Sequence, residues 1–229
     1  MNRTKIEWTD YTWNPITGCK HGCWYCYARK LTQRFKKIFP NGFEPTFHPE
    51  RLKEPWELKK PSKIFVCSIA DLFAPWTPKD WMTEVIKSIE MCPIKHTFQL
   101  LTKSLEGIPE FHIFPKNVWI GVTVTNEFPI YDYRNIAKIV HVACGVRFVS
   151  FEPLLDSLPH GISLRGVDWI IIGKLTGSRK VELKEAWVED IIEEAKRYDI
   201  PIFMKNNLCP PFEKSELIQE FPKEAGEHG

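Results

Sequence analysis

Lys63-Ile64-Phe65-Val66-Cys67-Ser68, then a stretch opening at Thr77-Pro78-Lys79-Asp80, then Thr97-Phe98-Gln99-Leu100-Leu101-Thr102: these three pieces decide the fold. The first and third are short, nearly continuous apolar runs, the pattern of strands buried on both faces of a parallel sheet. Between them Trp81, Val85, Ile86 and Ile89 recur at helical spacing and share one face. Thr77 is the predicted cap of that helix, with Pro78 at its first position and Asp80 in its first turn. The reading is therefore strand, helix, parallel strand.

The same alternation extends in both directions. Tyr11-Thr12-Trp13 is a weaker strand, broken by Asn14-Pro15. Downstream come apolar runs over 118–124, 146–151, 169–173 and 201–204. Helices are expected over 132–142 and 184–198. In the second, Trp187, Val188, Ile191, Ile192 and Ala195 form a stripe, with Glu189, Glu193, Glu194 and Lys196 outside it. Strand–helix alternation defines an α/β fold with a parallel sheet. Six or seven strands suit either a partial barrel or a doubly wound sheet. Residues 1–207 are expected to form one domain, and 208–229, beginning near Pro210-Pro211, a loosely packed tail.

With 229 residues, the chain is long enough to bury a core without disulfides. A net charge of +2 is too mild to mark a nucleic-acid protein by charge alone. No apolar run approaches the ~18 residues of a membrane span. The polar first ten residues lack the apolar stretch of a secretory signal, so a cytoplasmic location without membrane contact is expected. Seven cysteines in a reducing compartment are metal ligands, catalytic thiols or small buried residues rather than disulfides.

Three of the seven lie together in Gly18-Cys19-Lys20-His21-Gly22-Cys23-Trp24-Tyr25-Cys26-Tyr27-Ala28. Three thiolates on a tight loop can each bind one iron of a cubane. Such clusters usually take four cysteines, and a missing fourth leaves one iron open. Gly18 and Gly22 let the backbone bend around a cluster, and Lys20 and His21 place positive charge beside it. A structural zinc site is the alternative, with His21 or a distant cysteine as fourth ligand. Cys67, Cys92, Cys144 and Cys209 are scattered and read as small buried residues.

This spacing resembles that of the radical S-adenosylmethionine enzymes. The likeness extends to Trp13-Asn14-Pro15, Phe65-Val66-Cys67-Ser68-Ile69-Ala70-Asp71-Leu72-Phe73 and Phe98-Gln99-Leu100-Leu101-Thr102-Lys103. It continues through Val118–Val124, Arg147-Phe148-Val149-Ser150-Phe151-Glu152-Pro153-Leu154-Leu155, Asp168–Gly173 and Pro201-Ile202-Phe203-Met204-Lys205. Together these segments, over roughly residues 6–207, resemble the phage gene-product 37/68 family, which is similar to spore photoproduct lyase-like enzymes. The resemblance implies a partial (β/α)6–7 TIM-type barrel. It also implies a 4Fe–4S cluster on Cys19, Cys23 and Cys26 as the catalytic and metal-ligating residues, with S-adenosyl-L-methionine as cofactor. The chemistry implied is a 5′-deoxyadenosyl radical that abstracts hydrogen, with a nucleic-acid base or nucleotide as the substrate class suggested. An electron donor such as flavodoxin or ferredoxin is the implied partner. One departure stands out: where the family usually reads Gly-Gly-Glu-Ser-Gly, this chain has Gly173-Lys174-Leu175-Thr176-Gly177.

In parallel α/β folds ligands gather at the C-terminal ends of strands. Those ends carry Ser68 and Asp71, Thr102 and Lys103, Thr123, Thr125 and Asn126, and Glu152. With Tyr25 of the cysteine loop, these are the expected cofactor-binding residues. Asp71 would meet the methionine ammonium, Lys103 its carboxylate, and Thr123, Thr125 and Asn126 the ribose. Each has a plainer reading as a turn former or solvated charge. Residues 36–63 form a long excursion whose Phe39, Phe43, Phe47 and Trp56 are expected either to cover the substrate or to pack a loop. Basic residues among aromatics over 29–37 and 53–63 could meet phosphate, although a solvated helix face is the plainer reading of the first.

Overall fold

The expected apolar runs become strands. The computed structural model describes residues 1–108, 112–125, 129–158, 162–177 and 181–223, in two units, Met1–Val118 and Trp119–Gly229. The first unit carries β1 (Asn2–Arg3), β2 (Tyr11–Trp13), β3 (Ile16–Thr17), α1 (Tyr27–Arg34), β4 (Thr46–Phe47), β5 (Lys63–Val66), α2 (Lys79–Glu90) and β6 (Thr97–Thr102). Its sheet runs β1-β2-β5-β6, with β1 antiparallel to β2 and the other neighbours parallel. β3 and β4 form a separate antiparallel ribbon. The core gathers around Trp13, Ile64, Phe73, Val85 and Phe98, all essentially buried. The Trp13 indole N–H donates to the Arg51 carbonyl at 2.8 Å, so this large ring is buried with its polar atom satisfied.

The second unit carries β7 (Val118–Thr123), α3 (Pro129–Ile139), β8 (Val146–Leu154), β9 (Trp169–Lys174), α4 (Glu185–Lys196) and β10 (Ile202–Met204). Its strands follow chain order, and the β7–β8, β8–β9 and β9–β10 pairs are parallel. Trp169 is fully buried, with its ring against Trp119, Phe148, Phe203 and Phe221. Gly121 makes room for Phe148, since a Cβ there would lie 2.3 Å from the ring. Both units are thus mixed α/β, with parallel pairs predominating in the main sheet, and no helix among the described residues is long and apolar enough to cross a membrane.

Four local readings are corrected. β5 ends at Val66 rather than Ser68, because Cys67 turns into the left-handed region at φ 56. Pro78, not Thr77, occupies the cap of α2; the Thr77 hydroxyl donates instead to the Asp71 carbonyl at 2.9 Å. Glu194, expected on the outer face of α4, is buried and pairs with Arg197 at 3.1 Å. The segment after Leu208 does not pack loosely throughout. Residues 218–220 bond β10 through Met204 N–H to Ile218 and Glu220 N–H to Ile202, and Phe221 stacks on Trp169.

Candidate functional site

The cysteine loop hangs between β3 and α1, and the first unit holds it at several points. Gly18 N–H donates to Ile69 O at 3.0 Å, just beyond β5. Cys19 N–H donates to Phe43 O at 3.1 Å. Gly18 has φ +87, and a Cβ there would lie 2.2 Å from Glu44 O, so both dihedral and space demand glycine. Gly22 has φ +73 with nothing near its missing side chain. Cys26 N–H donates to Cys23 O at 3.2 Å, closing a turn between these two cysteines. The Cys26 sulfur then caps α1, accepting from Arg29 N at 3.4 Å. A helix N-terminus is a favourable place for negative charge.

Side chains complete the attachment. His21 Nε2 donates to Asp71 Oδ2 at 2.7 Å, and the His21 ring meets Trp76 edge-on at 4.6 Å. Lys103 Nζ donates to the Tyr25 hydroxyl at 3.0 Å. The Tyr27 hydroxyl donates to Ser68 O at 2.6 Å. Asn14 Oδ1 accepts from the Ser68 hydroxyl and from Ile69 N–H, both at 3.2 Å. The C-terminal ends of β5 and β6 thus reach the cysteine loop, and Tyr25, Ser68, Asp71, Thr102 and Lys103 come together around it.

Asp71 is the hub of this cluster and is buried. Oδ1 accepts from the Thr102 hydroxyl at 2.7 Å and Phe73 N–H at 3.1 Å; Oδ2 accepts from His21 and from Lys103 N–H at 2.9 Å. A carboxylate offers about four lone-pair sites, and four donors fill them. The job visible in this structure is to position the loop and the end of β6, not to present an open lone pair to a ligand ammonium. Asp71, His21 and Asn14 all stand out in the sequence, but the pairing of His21 with Asp71, the Asn14 bonds to residues 68 and 69, and the place of Trp76 do not.

The thiols differ in environment. Burial pushes the Cys19 thiol up to about 12; the His21 backbone N–H pulls it down, while Asp71, Cys23 and Cys26 nearby add to the rise. Burial likewise pushes Cys67 up to about 12. None of the seven cysteines is in a disulfide. Among the described residues no group of three or more His, Cys, Asp or Glu side chains closes on a point to hold a metal ion directly. A cubane distributes its cysteine ligands over different irons, so its thiolates need not converge on one centre. Three free thiols on one glycine-flanked loop, with one at a helix N-terminus, are a donor set that suits such a cluster.

The second unit carries the remaining expected residues. Thr123 ends β7 and, like Thr125, is buried. Thr125 N–H donates to Asp132 Oδ2 at 3.1 Å and its carbonyl accepts from Leu155 N–H at 3.1 Å. Asn126 lies outside the described residues. Glu152, on β8, is ion-paired to Lys205 just beyond β10. Gly173 accommodates this pair, since a Cβ would lie 3.0 Å from Lys205 Cδ and 3.1 Å from Glu152 Cδ. Lys174, the departure from the family pattern, turns toward the tail: its Nζ donates to Pro210 O at 2.7 Å and Cys209 O at 3.3 Å.

The excursion over 36–63 is largely scaffold at its far end. Phe47 stacks on Trp81 of α2 at 5.5 Å, and the Trp56 indole N–H donates to Ser88 O at 3.1 Å. Those two rings therefore pack the excursion against α2, the loop-packing alternative of the two expectations.

Residues 3–228 match the sequence profile of the family described as "Protein of unknown function (DUF5131)", and the chain belongs to that family. No curated protein and no solved structure matches it.

Proposed function

We propose that this chain is a radical S-adenosylmethionine enzyme, with Cys19, Cys23 and Cys26 as ligands of a 4Fe–4S cluster. The supporting observation is the attachment of the three-cysteine loop to two parallel strand ends, through His21–Asp71 and Lys103–Tyr25. A loop that served only as a zinc knuckle would need no such link to the rim where α/β folds bind ligands. The same reading takes the parallel strands as a partial (β/α)6–7 barrel.

With the cluster and S-adenosylmethionine bound, the group supplies one-electron cleavage of the sulfonium, giving a 5′-deoxyadenosyl radical for hydrogen abstraction. The chain's own contributions are binding and positioning. Asp71 holds His21, Thr102 and the Lys103 backbone in one arrangement. Lys103 Nζ, resting on the Tyr25 hydroxyl, is the cation within reach of a ligand carboxylate. Tyr25, next to Cys26, offers an aromatic surface to a nucleoside. Glu152 and Lys205 are the corresponding polar pair of the second unit. A flavodoxin or ferredoxin would supply the electron.

The test is anaerobic reconstitution with iron and sulfide, then incubation with S-adenosylmethionine and dithionite. The reading expects 5′-deoxyadenosine and methionine in the wild type and neither in Cys23→Ala. A colourless protein holding stoichiometric zinc would replace it with the zinc-module alternative.

A further inference from the structure

From Tyr27 to Ile38 the chain carries five cations, Arg29, Lys30, Arg34, Lys36 and Lys37, and no acid. Among the described residues none of the five is ion-paired. The folding of α1 sorts this segment. Ala28 and Thr32 are buried, which turns Tyr27, Lys30 and Arg34, spaced at helical i, i+3 and i+7, to the outside. Phe35, Lys36, Lys37 and Ile38 continue the exposed surface past the helix end.

The apolar part is concentrated. Of the eight exposed large hydrophobic residues among those described, Tyr27, Phe35 and Ile38 lie in this segment and Trp24 three positions before it. Single exposed apolar residues need no explanation, but a cluster does. One cation sits against one of these rings, the Arg34 guanidinium 5.5 Å from the Phe35 centroid, while the Arg29 guanidinium lies 5.0 Å from the Phe43 centroid. Tyr27 is 55 % exposed, yet its hydroxyl is tied to Ser68 O, so the ring is a fixed platform rather than a mobile one.

We infer that this surface docks single-stranded nucleic acid. Cations interleaved with exposed aromatic rings match a polymer whose every unit offers one phosphate and one flat base. A duplex hides its bases and would leave the rings unused. An acidic protein would meet the cations but gives the rings no role. An anionic bilayer would also meet cations and exposed apolar side chains, but Tyr27, tied by its hydroxyl to Ser68 O, is held as a stacking surface rather than free to insert. The surface adjoins the cysteine loop directly, because Cys26 caps α1 and Trp24 lies between Cys23 and Cys26. Docking stands on the surface alone; that the strand is also the substrate rests on the radical reading above.

The test is fluorescence anisotropy of the full chain, before and after iron–sulfur reconstitution, with a labelled mixed-sequence DNA single strand of about twelve nucleotides. Lys30, Arg34, Lys36 and Lys37 each meeting a phosphate would give a log–log salt slope of roughly −3, from about −0.7 per contact. Arg34→Glu with Lys37→Glu should weaken binding at least about thirtyfold and flatten that slope. Phe35→Ala should weaken it about tenfold with the slope unchanged, the signature of lost stacking. Circular dichroism melts confirm that these surface variants fold. No saturable binding, equal competition by polyglutamate, or tighter binding to phosphatidylserine vesicles than to the strand would each overturn the proposal. Strand binding without S-adenosylmethionine cleavage would leave the docking surface standing and remove the radical reading; cleavage without strand binding would do the reverse.

Discussion

His21 and Asp71, fifty positions apart, are joined by a 2.7 Å hydrogen bond between Nε2 and Oδ2. The histidine lies between Cys19 and Cys23; the aspartate follows β5 and is buried. The bond makes the cysteine loop part of the strand-end architecture. Whatever the loop holds is thereby kept at a fixed distance from Lys103, which shares the same carboxylate through its backbone.

Asp71→Ala should lower stability by about 3 kcal/mol or more, because it strands buried donors from His21, Thr102, Phe73 and Lys103 at once. Asp71→Asn should be nearly as harmful, since an amide NH2 would face the His21 and Lys103 donors. Urea midpoints check this. A variant of full stability with weakened S-adenosylmethionine binding would instead make Asp71 an open ligand.

Gly18→Ala and Gly22→Ala separate two reasons for glycine. Both place a Cβ on a positive φ, which is unfavourable by about 1–2 kcal/mol. Only at Gly18 does the new carbon also strike backbone, at Glu44 O. Gly22→Ala should therefore be mild and Gly18→Ala severe, with loss of cluster retention. Thermal melts and iron content measure both; equal effects would mean that Glu44 moves freely.

The buried Cys67 thiol predicts alkaline sensitivity. Its folded value, raised by burial to about 12, stands above the ordinary 9.0. Above pH 9 the unfolded chain loses this proton first, so stability is intact below that pH and falls as pH rises toward 12. The loss attributable to Cys67 should reach about 2 kcal/mol near pH ~10.5. Urea midpoints of wild type and Cys67→Ala between neutral and alkaline pH should converge or cross as pH rises. Parallel curves would contradict the assignment.

Glu152 and Lys205 should behave as one unit. Lys205→Met alone leaves a half-buried carboxylate without its cation and should destabilise by about 1–3 kcal/mol. Adding Glu152→Gln should restore part of that loss, a coupling that a double-mutant cycle reads directly. Additive effects would mean that the pair contributes nothing jointly.

The strands were legible because both faces are buried, so Ile64-Phe65-Val66 and Ile170-Ile171-Ile172 stand out as unbroken apolar runs. The cysteine loop was legible from spacing alone. The β3–β4 ribbon was not, since two residues per strand carry no periodicity. Nor was the outcome at Thr77, whose hydroxyl bonds the Asp71 carbonyl instead of the helix it precedes. Glu194 misled because its charge argued for the outer face, while Arg197 one turn on makes a buried position tolerable. Partnerships such as His21–Asp71 and Asn14–Ser68 depend on chain segments brought together by the sheet, which local pattern does not encode.

Iron counting on reconstituted protein separates a cubane on the loop from every other ligand set. About four irons per wild-type chain are expected. The same number is expected in Cys67→Ala, Cys92→Ala, Cys144→Ala and Cys209→Ala, and near-complete loss in Cys19→Ala, Cys23→Ala and Cys26→Ala. Iron retained in any of those three, or lost with one of the other four, would contradict a cubane on the loop.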